Sequence, residues 1–545
     1  MNAKFLSAAF LLLGISMSNA QTTSAVEGTF ETGYGLENGA IQNPTSDTEG
    51  AVFFGYQAGN HTTTKIIHGY YNSFIGHQSG FTNVAGAYNS YFGSRSGYFS
   101  NGSYNMFSGT FAGYRATGSN NTFSGYRSGT NYDLTAGTAS INSGSNNAFF
   151  GYQTGLNNTT GGNNAYFGTN SGQSNSSGSF NAFVGSLSGF NNTASNGTFI
   201  GYSAGYNNTG ANSTLLGAYA GYTNTTAGST FVGYNSGRYN GAGIQNTSIG
   251  YQSGTGVSNT TTNGNTFTGY YAGNANVSNY NSFFGSSSGS KNNTGQNNSF
   301  FGFESGRDNL GASGNSFFGS ASGGKNTTGG GNVFVGTYSG ANNTTGEGNT
   351  YLGIDTGFNS TGGGNVFLGR AAGKNETGSN KLYIANGDTT ALIYGDFSTG
   401  KVGIGQIFNY ATTDKFPATS GSVNVQNYKL FVKGGILTEE VRVHLQSGWA
   451  DYVFADTYKL KPLSEVEQFI VQNGHLPNVP SAKTVAEDGI EVGQMAKIQQ
   501  EKIEELTLYA IAQDKQLDAQ KLQLEQQQKE IDELKAAVKA LAQKQ

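Results

Sequence analysis

The sequence predicts an all-β solenoid, a parallel β-roll of 16–17-residue coils, followed by a small α+β region and a C-terminal α-helical coiled coil. Three observations predict it. A short motif ending in an aromatic pair and a glycine recurs nineteen times between about residues 50 and 373. The 545 residues include 85 glycines but no cysteine. No proline falls between residues 49 and 373, as expected for a ladder in which every N–H matters.

The chain begins MNAKFLSAAFLLLGISMSNA, in which Lys4 precedes the apolar run Phe5 to Ile15 and Ser18-Asn19-Ala20 offers a small-residue cleavage site. This reads as a secretory signal peptide over 1–20, leaving a mature chain from Gln21 and a leader or cap over 21–48. Without cysteine, disulfides cannot stabilise an exported fold, which must hold by packing and hydrogen bonds.

The repeat head spans 49–373. Its anchor glycines run from Gly55 through Gly76, Gly93 and Gly109 to Gly369, and each is followed four residues later by a second glycine. Longer gaps after Gly55, Gly125 and Gly250 must loop out. Two residues before the anchor stands an aromatic ring, with Leu215 and Ser248 the exceptions. Phe53, Phe74, Phe107, Phe123, Phe149, Phe183, Phe199, Phe231, Phe283, Phe300, Phe317, Phe334 and Phe367 form this expected structural ladder, with tyrosines completing it. The next residue is mostly Phe, Val, Ile or Leu, with Ser108, Ser124 and Thr268 breaking the pattern.

Consecutive side chains of a strand point to opposite faces, so one column fills the coil and the other lies outside. An outer apolar stripe of this length exceeds what monomers leave in water, and a closed symmetric oligomer would cover it. The Ala, Ser or Thr before each second glycine is expected to leave room for the ring. Segments such as "NNTTGGNN" read as turns, because Asn and Gly tolerate left-handed conformations. Nineteen coils stacked at strand spacing would make a rod about 90 Å long.

The coil N-x-[FY]-Φ-G-x-x-[AS]-G resembles the head repeats of YadA-type trimeric autotransporter adhesins, over about 325 residues and in pattern more than identity. The resemblance implies a left-handed parallel β-roll, a homotrimer and a place on a bacterial surface. The coils here are slightly longer than in that family, and the chain ends "LKAAVKALAQKQ" instead of in the family's barrel anchor. Attachment is therefore expected through another protein, a separate outer-membrane anchor of a gram-negative cell, or not at all.

Residues 374–446 read as a β-rich connector, with short strands over 380–405 and another pair over 428–443. Residues 447–489 form a small region in which Ser464 and Glu467 suggest a capping box before a short helix ended by Asn473-Gly474. From 490 to 545 one long helix carries a heptad: Ile503, Leu517, Leu524, Ile531 and Val538 at a, Leu506, Leu534 and Leu541 at d. Gln513, Gln520 and Gln527 are polar d layers. This tail resembles the C-terminal regions of bacterial tail-fibre-like surface proteins and, more distantly, the intramolecular chaperones of phage tail fibres, implying trimer nucleation. The chaperones' self-cleaving Ser-Asp motif is not matched at Ser447-Gly448-Trp449-Ala450-Asp451.

Charged residues make up 11% of the chain, against about a quarter in ordinary globular proteins, so little material exists for acid–base or metal chemistry. A net charge of −4 gives no reason to expect nucleic acid. "GDFSTGKV" at 395–402 nearly spells a P-loop, but Val402 stands where Ser or Thr must hold magnesium. "GSASGGKN" from Gly319 fails in the same way. The histidines at 61, 68, 77, 444 and 475 have no ligand spacing. No catalytic, cofactor or metal residue is expected, no enzyme, and no transmembrane helix.

The expected function is a secreted, surface-exposed adhesin-like fibre that attaches through a glycan or protein ligand. The alternatives are a phage-type tail fibre, which a signal peptide opposes, and an ice-binding solenoid. Ice binding would need threonines in register on a flat strand face, whereas the Thr pairs are read as turn residues.

Overall fold

Each motif copy folds as a three-residue strand, and the nineteen strands from Val52–Phe54 to Val366–Leu368 pair in parallel, coil upon coil. The computed structural model describes residues 32–34, 51–60, 70–130, 140–257, 261–405, 416–444 and 448–543. The expected signal peptide and most of the leader lie outside them. Register is uniform, so that Phe74 stands opposite Phe53 and Tyr91, and Phe300 opposite Phe283 and Phe317. The parallel ladder also takes in Thr32–Tyr34 at one end and Lys381–Ala385 at the other. Ala391–Asp396 then folds back antiparallel on Lys381–Ala385.

In-register stacking places like side chains over like, and the middle residue of each strand points inward. All thirteen ladder phenylalanines are buried. Nine rings from Phe53 to Phe199 form one continuous stack, with centroids 4.6–5.2 Å apart. Seven more from Phe267 to Phe367 form a second, at 4.6–5.1 Å. Leu215, Phe231 and Ser248 occupy the inner column between them. The inward rings supply the hydrophobic core that a solenoid coil lacks on its own.

The two glycines of the motif have separate tasks. Gly185 has φ +131°, and a Cβ there would stand 2.6 Å from the carbonyl oxygen of Gly201 in the next coil. Gly189 has φ +59°, and its Cβ would lie 2.5 Å from Cε2 of Phe183. The second glycine, rather than the small residue before it, thus makes room for the ring. The small residue does something else: Ser188 and Ser322 are buried and donate from Oγ to the carbonyls of Phe199 and Phe334, each at 3.1 Å.

The asparagines read as turn residues are also corrected, because two columns of them are buried ladders. Four residues before the anchor, Asn298 donates its backbone N–H to Asn281 Oδ1 at 3.0 Å and its Nδ2 to the Ala312 carbonyl at 2.9 Å. Seven residues after the anchor, Asn326 donates to Asn309 at 3.0 Å, and Asn309 to Asn292 at 2.5 Å. An amide has donors on one side and an acceptor on the other, so a column of them bonds head to tail and satisfies itself. Two residues after the anchor, Leu187 (φ 59°) and Ala321 (φ 52°) sit in left-handed backbone at a cost of about 1–2 kcal/mol each. Their N–H groups donate to the Thr169 and Phe303 carbonyls of the preceding coil at 2.9 and 2.8 Å.

Where the inner ring is a tyrosine, a partner stands nine residues on: Ser100 Oγ is 2.9 Å from the Tyr91 hydroxyl and Ser360 Oγ 2.8 Å from that of Tyr351. Burial pushes the Tyr351 phenol from 10.0 up to about 12. Between those pH values the unfolded chain has released this proton and the folded chain has kept it, so stability falls as pH rises from 10 to 12. Phenolate absorbance is expected to show a late-titrating class that shrinks in Tyr351→Phe. If all tyrosines titrate near 10 in the folded protein, that assignment is wrong.

The chain divides into two units, Met1–Gly400 and Lys401–Gln545. In the second, Lys401–Ile404 pairs in parallel with Leu430–Val432, and Thr419–Ser420 with Val423–Asn424. Only Leu430–Val432 of the pair expected over 428–443 is a strand, and Gly434 (φ 107°) and Gly435 follow it, where a strand has no side chain to pack. A 3-10 helix, Ala450–Phe454, precedes α1 (Leu463–Asn473), α2 (Ala482–Asp488) and α3 (Val492–Ala542). Pro462 occupies the N-cap position of helix α1 without a side-chain capping bond, and the expected Ser464–Glu467 box does not form. The helix starts at Leu463, two residues before a Ser464 cap would allow, which leaves Ser464 inside the first turn. Gly474, with φ 74°, ends it as expected.

Candidate functional site

With one strand residue committed inward, the residues on either side of it point out. The outer column just before the anchors is mostly apolar, broken by Ser108, Ser124 and Thr268, and in part exposed: Phe54, Phe92, Phe167, Ile200, Ile249, Phe318, Leu352 and Leu368 keep 39–53% of their surface in one chain. Its rings stack as well, Phe150 on Phe167 at 4.8 Å and Phe284 on Phe301 at 4.7 Å. Beside it, Thr198, Thr214, Thr230, Thr247 and Thr266 stand opposite one another in successive strands. Threonines are therefore in register on a strand face after all. The turn pairs had drawn attention away from the single strand threonines.

The turns carry further aromatic columns. Tyr71, Tyr88 and Tyr104 are exposed in left-handed backbone, and Tyr88 stacks on Tyr71 at 5.2 Å and on Tyr104 at 4.9 Å. Tyr251 stacks between Tyr234 and Tyr270 at 5.3 and 5.4 Å. Charge is divided along the solenoid. Lys291 and Arg307 pair with Asp308 at 2.8 Å, and Arg307 with Glu304 at 2.7 Å. The guanidinium of Arg307 holds the Asp308 carboxyl below the usual range.

In the second unit, Tyr452 and Tyr458 donate to Glu501 and Glu505 on α3, and Asn478 Nδ2 reaches Glu501 Oε1 at 3.2 Å. Lys502 bridges both carboxylates, at 2.9 Å to Glu501 and 2.8 Å to Glu505. Polar groups here face polar partners, which docks the 3-10 helix onto α3. The heptad residues Ile503, Leu506, Leu517, Leu524, Ile531, Leu534, Val538 and Leu541 are all exposed in one chain.

No protein-family model, curated protein or solved structure matches the chain. The architecture is a parallel β-solenoid with coils of about 17 residues, followed by helices, and geometry alone must be read for function.

The near P-loop is a turn and a strand: Asp396 Oδ1 accepts from the backbone N–H of Ser398 at 2.9 Å, and Lys401–Ile404 is extended where a P-loop needs a helix. His77 stacks on Tyr56 at 5.5 Å, and His475 stands edge-on to Phe469 in the turn after α1. Among the described residues no three His, Cys, Asp or Glu side chains converge as a metal site. No described helix is long and apolar enough to cross a membrane.

Proposed function

We propose that the chain is a secreted, surface-exposed fibre of the YadA-like adhesin kind, a homotrimer that mediates attachment to surfaces or cells through a glycan or protein ligand. The observation that carries this reading is the outer column, in which apolar side chains recur from Phe54 to Leu368 and ten of them are exposed in one chain. Three copies packed on this face would remove it from water, and the exposed heptad of α3 would join the same three chains. The fibre's role is structural: a rigid rod that carries its exposed turns away from the cell, with multivalency supplying strength from weak contacts. Export would fall to residues 1–20.

The test is the mass of residues 21–545 in solution, by light scattering after size exclusion. Three times the single-chain mass is expected, and a monomer would sink the trimer. The threonine column favours one second reading, ice binding on that face. Thermal hysteresis in a monomeric preparation would favour it over the fibre.

A further inference from the structure

Five residues before each anchor from Gly76 to Gly369 the backbone is left-handed, with φ between 56° and 78°. In the fifteen coils from Gly125 onward this position holds six Asn and six Gly, the residues that tolerate such backbone. The coils at Gly76, Gly93 and Gly109 hold Tyr71, Tyr88 and Tyr104 instead. A bulky side chain is an outlier there and carries strain.

Nothing in the coil requires a ring at this position. The backbone N–H groups of Tyr88 and Tyr104 donate to the preceding coil at 2.9 Å, and that of Asn163, in the same column, does so at the same distance. The three rings are not core either, since 47–60% of each residue stays exposed. Strain of this kind persists where function needs it. The row at Tyr234, Tyr251 and Tyr270 calls for no such account, because none of the three has a positive φ.

Tyr88 stacks between Tyr71 and Tyr104, with centroids 5.2 and 4.9 Å away and interplanar angles of 23° and 2°. Both faces of its ring are covered, so what it shows to solvent is ring edge and hydroxyl. A phenol hydroxyl donates and accepts, and the ring edge carries the positive end of the ring quadrupole, which attracts oxygen. We infer that this row binds a neutral, extended polysaccharide, one sugar set against each tyrosine. Sugar rings joined end to end through equatorial bonds advance by nearly the coil spacing of about 4.8 Å, so successive sugar hydroxyls meet successive tyrosines. Three weak contacts in register then act together. The covered ring leaves no platform on which a nucleic-acid base could stack, and the row itself is uncharged, so an acidic polymer gains nothing from it. The inference rests on the reading of an exported adhesive fibre and names the chemical class of its ligand.

The experiment uses the chain from residue 21, with insoluble cellulose and chitin as probes. Dextran (neutral but coiled), heparin (acidic) and a casein-coated surface are the comparators. Y71F/Y88F/Y104F keeps the stack and removes the hydroxyls. Y71N/Y88N/Y104N installs the residue that Asn120, Asn146 and Asn163 already supply in the next three coils. F180N/Y280N relieves the same backbone at two positions of the column whose neighbouring coils hold no ring there. Thermal melts accompany every variant. The expected result is binding to cellulose or chitin, weakened roughly tenfold in both triple variants and unchanged in the double one. The Asn triple variant is expected to melt no lower than the parent. Full binding by the Phe variant, no binding to either probe, or equal binding to dextran would overturn the site. Tighter binding to heparin or casein, lost in the same variants, would overturn the polysaccharide as its ligand. A trimeric mass beside any of these failures would leave the fibre reading standing, and a monomer that binds through the row would support the site while sinking the trimer.

Discussion

Truncating Phe300 to alanine is expected to destabilise the head by about 3–5 kcal/mol. The ring lies between those of Phe283 and Phe317, at 4.7 and 4.9 Å, and is fully buried. Its neighbours cannot collapse into the space, because each is fixed by its own strand register and by a glycine pressed against its ring. In a solenoid every coil touches only the coils above and below, so the loss stays local. Far-UV circular dichroism through a urea titration is expected to show a second, earlier transition that the parent lacks. Phe303→Ala, which removes a ring 55% exposed on the outside of the same coil, should shift stability by less than about 0.5 kcal/mol. Equal effects from the two substitutions would mean that the inner stack does not hold the coils together.

Asn309→Leu is the second large effect, and it separates hydrogen bonding from volume. Asn309 donates to Asn292 Oδ1 and to the Ala312 carbonyl, and accepts from Asn326 Nδ2. Leucine is of similar size but offers nothing to any of the three, and each orphaned group costs about 1–3 kcal/mol in the interior. A loss of about 4 kcal/mol is expected by equilibrium unfolding. Asn309→Ser should recover part of it, since Ser100 and Ser360 occupy the same column in other coils. A leucine variant as stable as the parent would show that the amide ladder contributes nothing net.

Much of this fold was legible because the repeat averages out accident. Nineteen copies made the anchor glycine, the inward ring and the outward apolar residue visible without any structure, and the strand spacing followed. The asparagine ladders were present in the same motif, yet a single coil gives no sign that Asn281 and Asn298 will meet. A polar residue beside glycines looks like a turn until the coil is stacked, and stacking is what turns a local preference into a buried bond. The role of Gly189 was hidden for the same reason, since the obstacle it avoids is a ring six residues away in sequence. At the tail, the capping box expected from Ser464 and Glu467 does not form, because the helix begins at Leu463, directly after Pro462, and Ser464 falls inside its first turn.

The interval between the two ring stacks has a mechanical meaning. A filament tethered at one end and pulled at the other carries the same tension through every level, so it parts where adhesion between neighbouring levels is weakest. Leu215 and Ser248 replace aromatic contact with smaller side chains there, and the Ser248 level relies on hydrogen bonds such as Ser236 Oγ to its own carbonyl at 2.7 Å. If the chain works as the tethered fibre proposed above, extension under drag would begin near the middle of the repeat, and yielding there would dissipate load before contact at either end is lost.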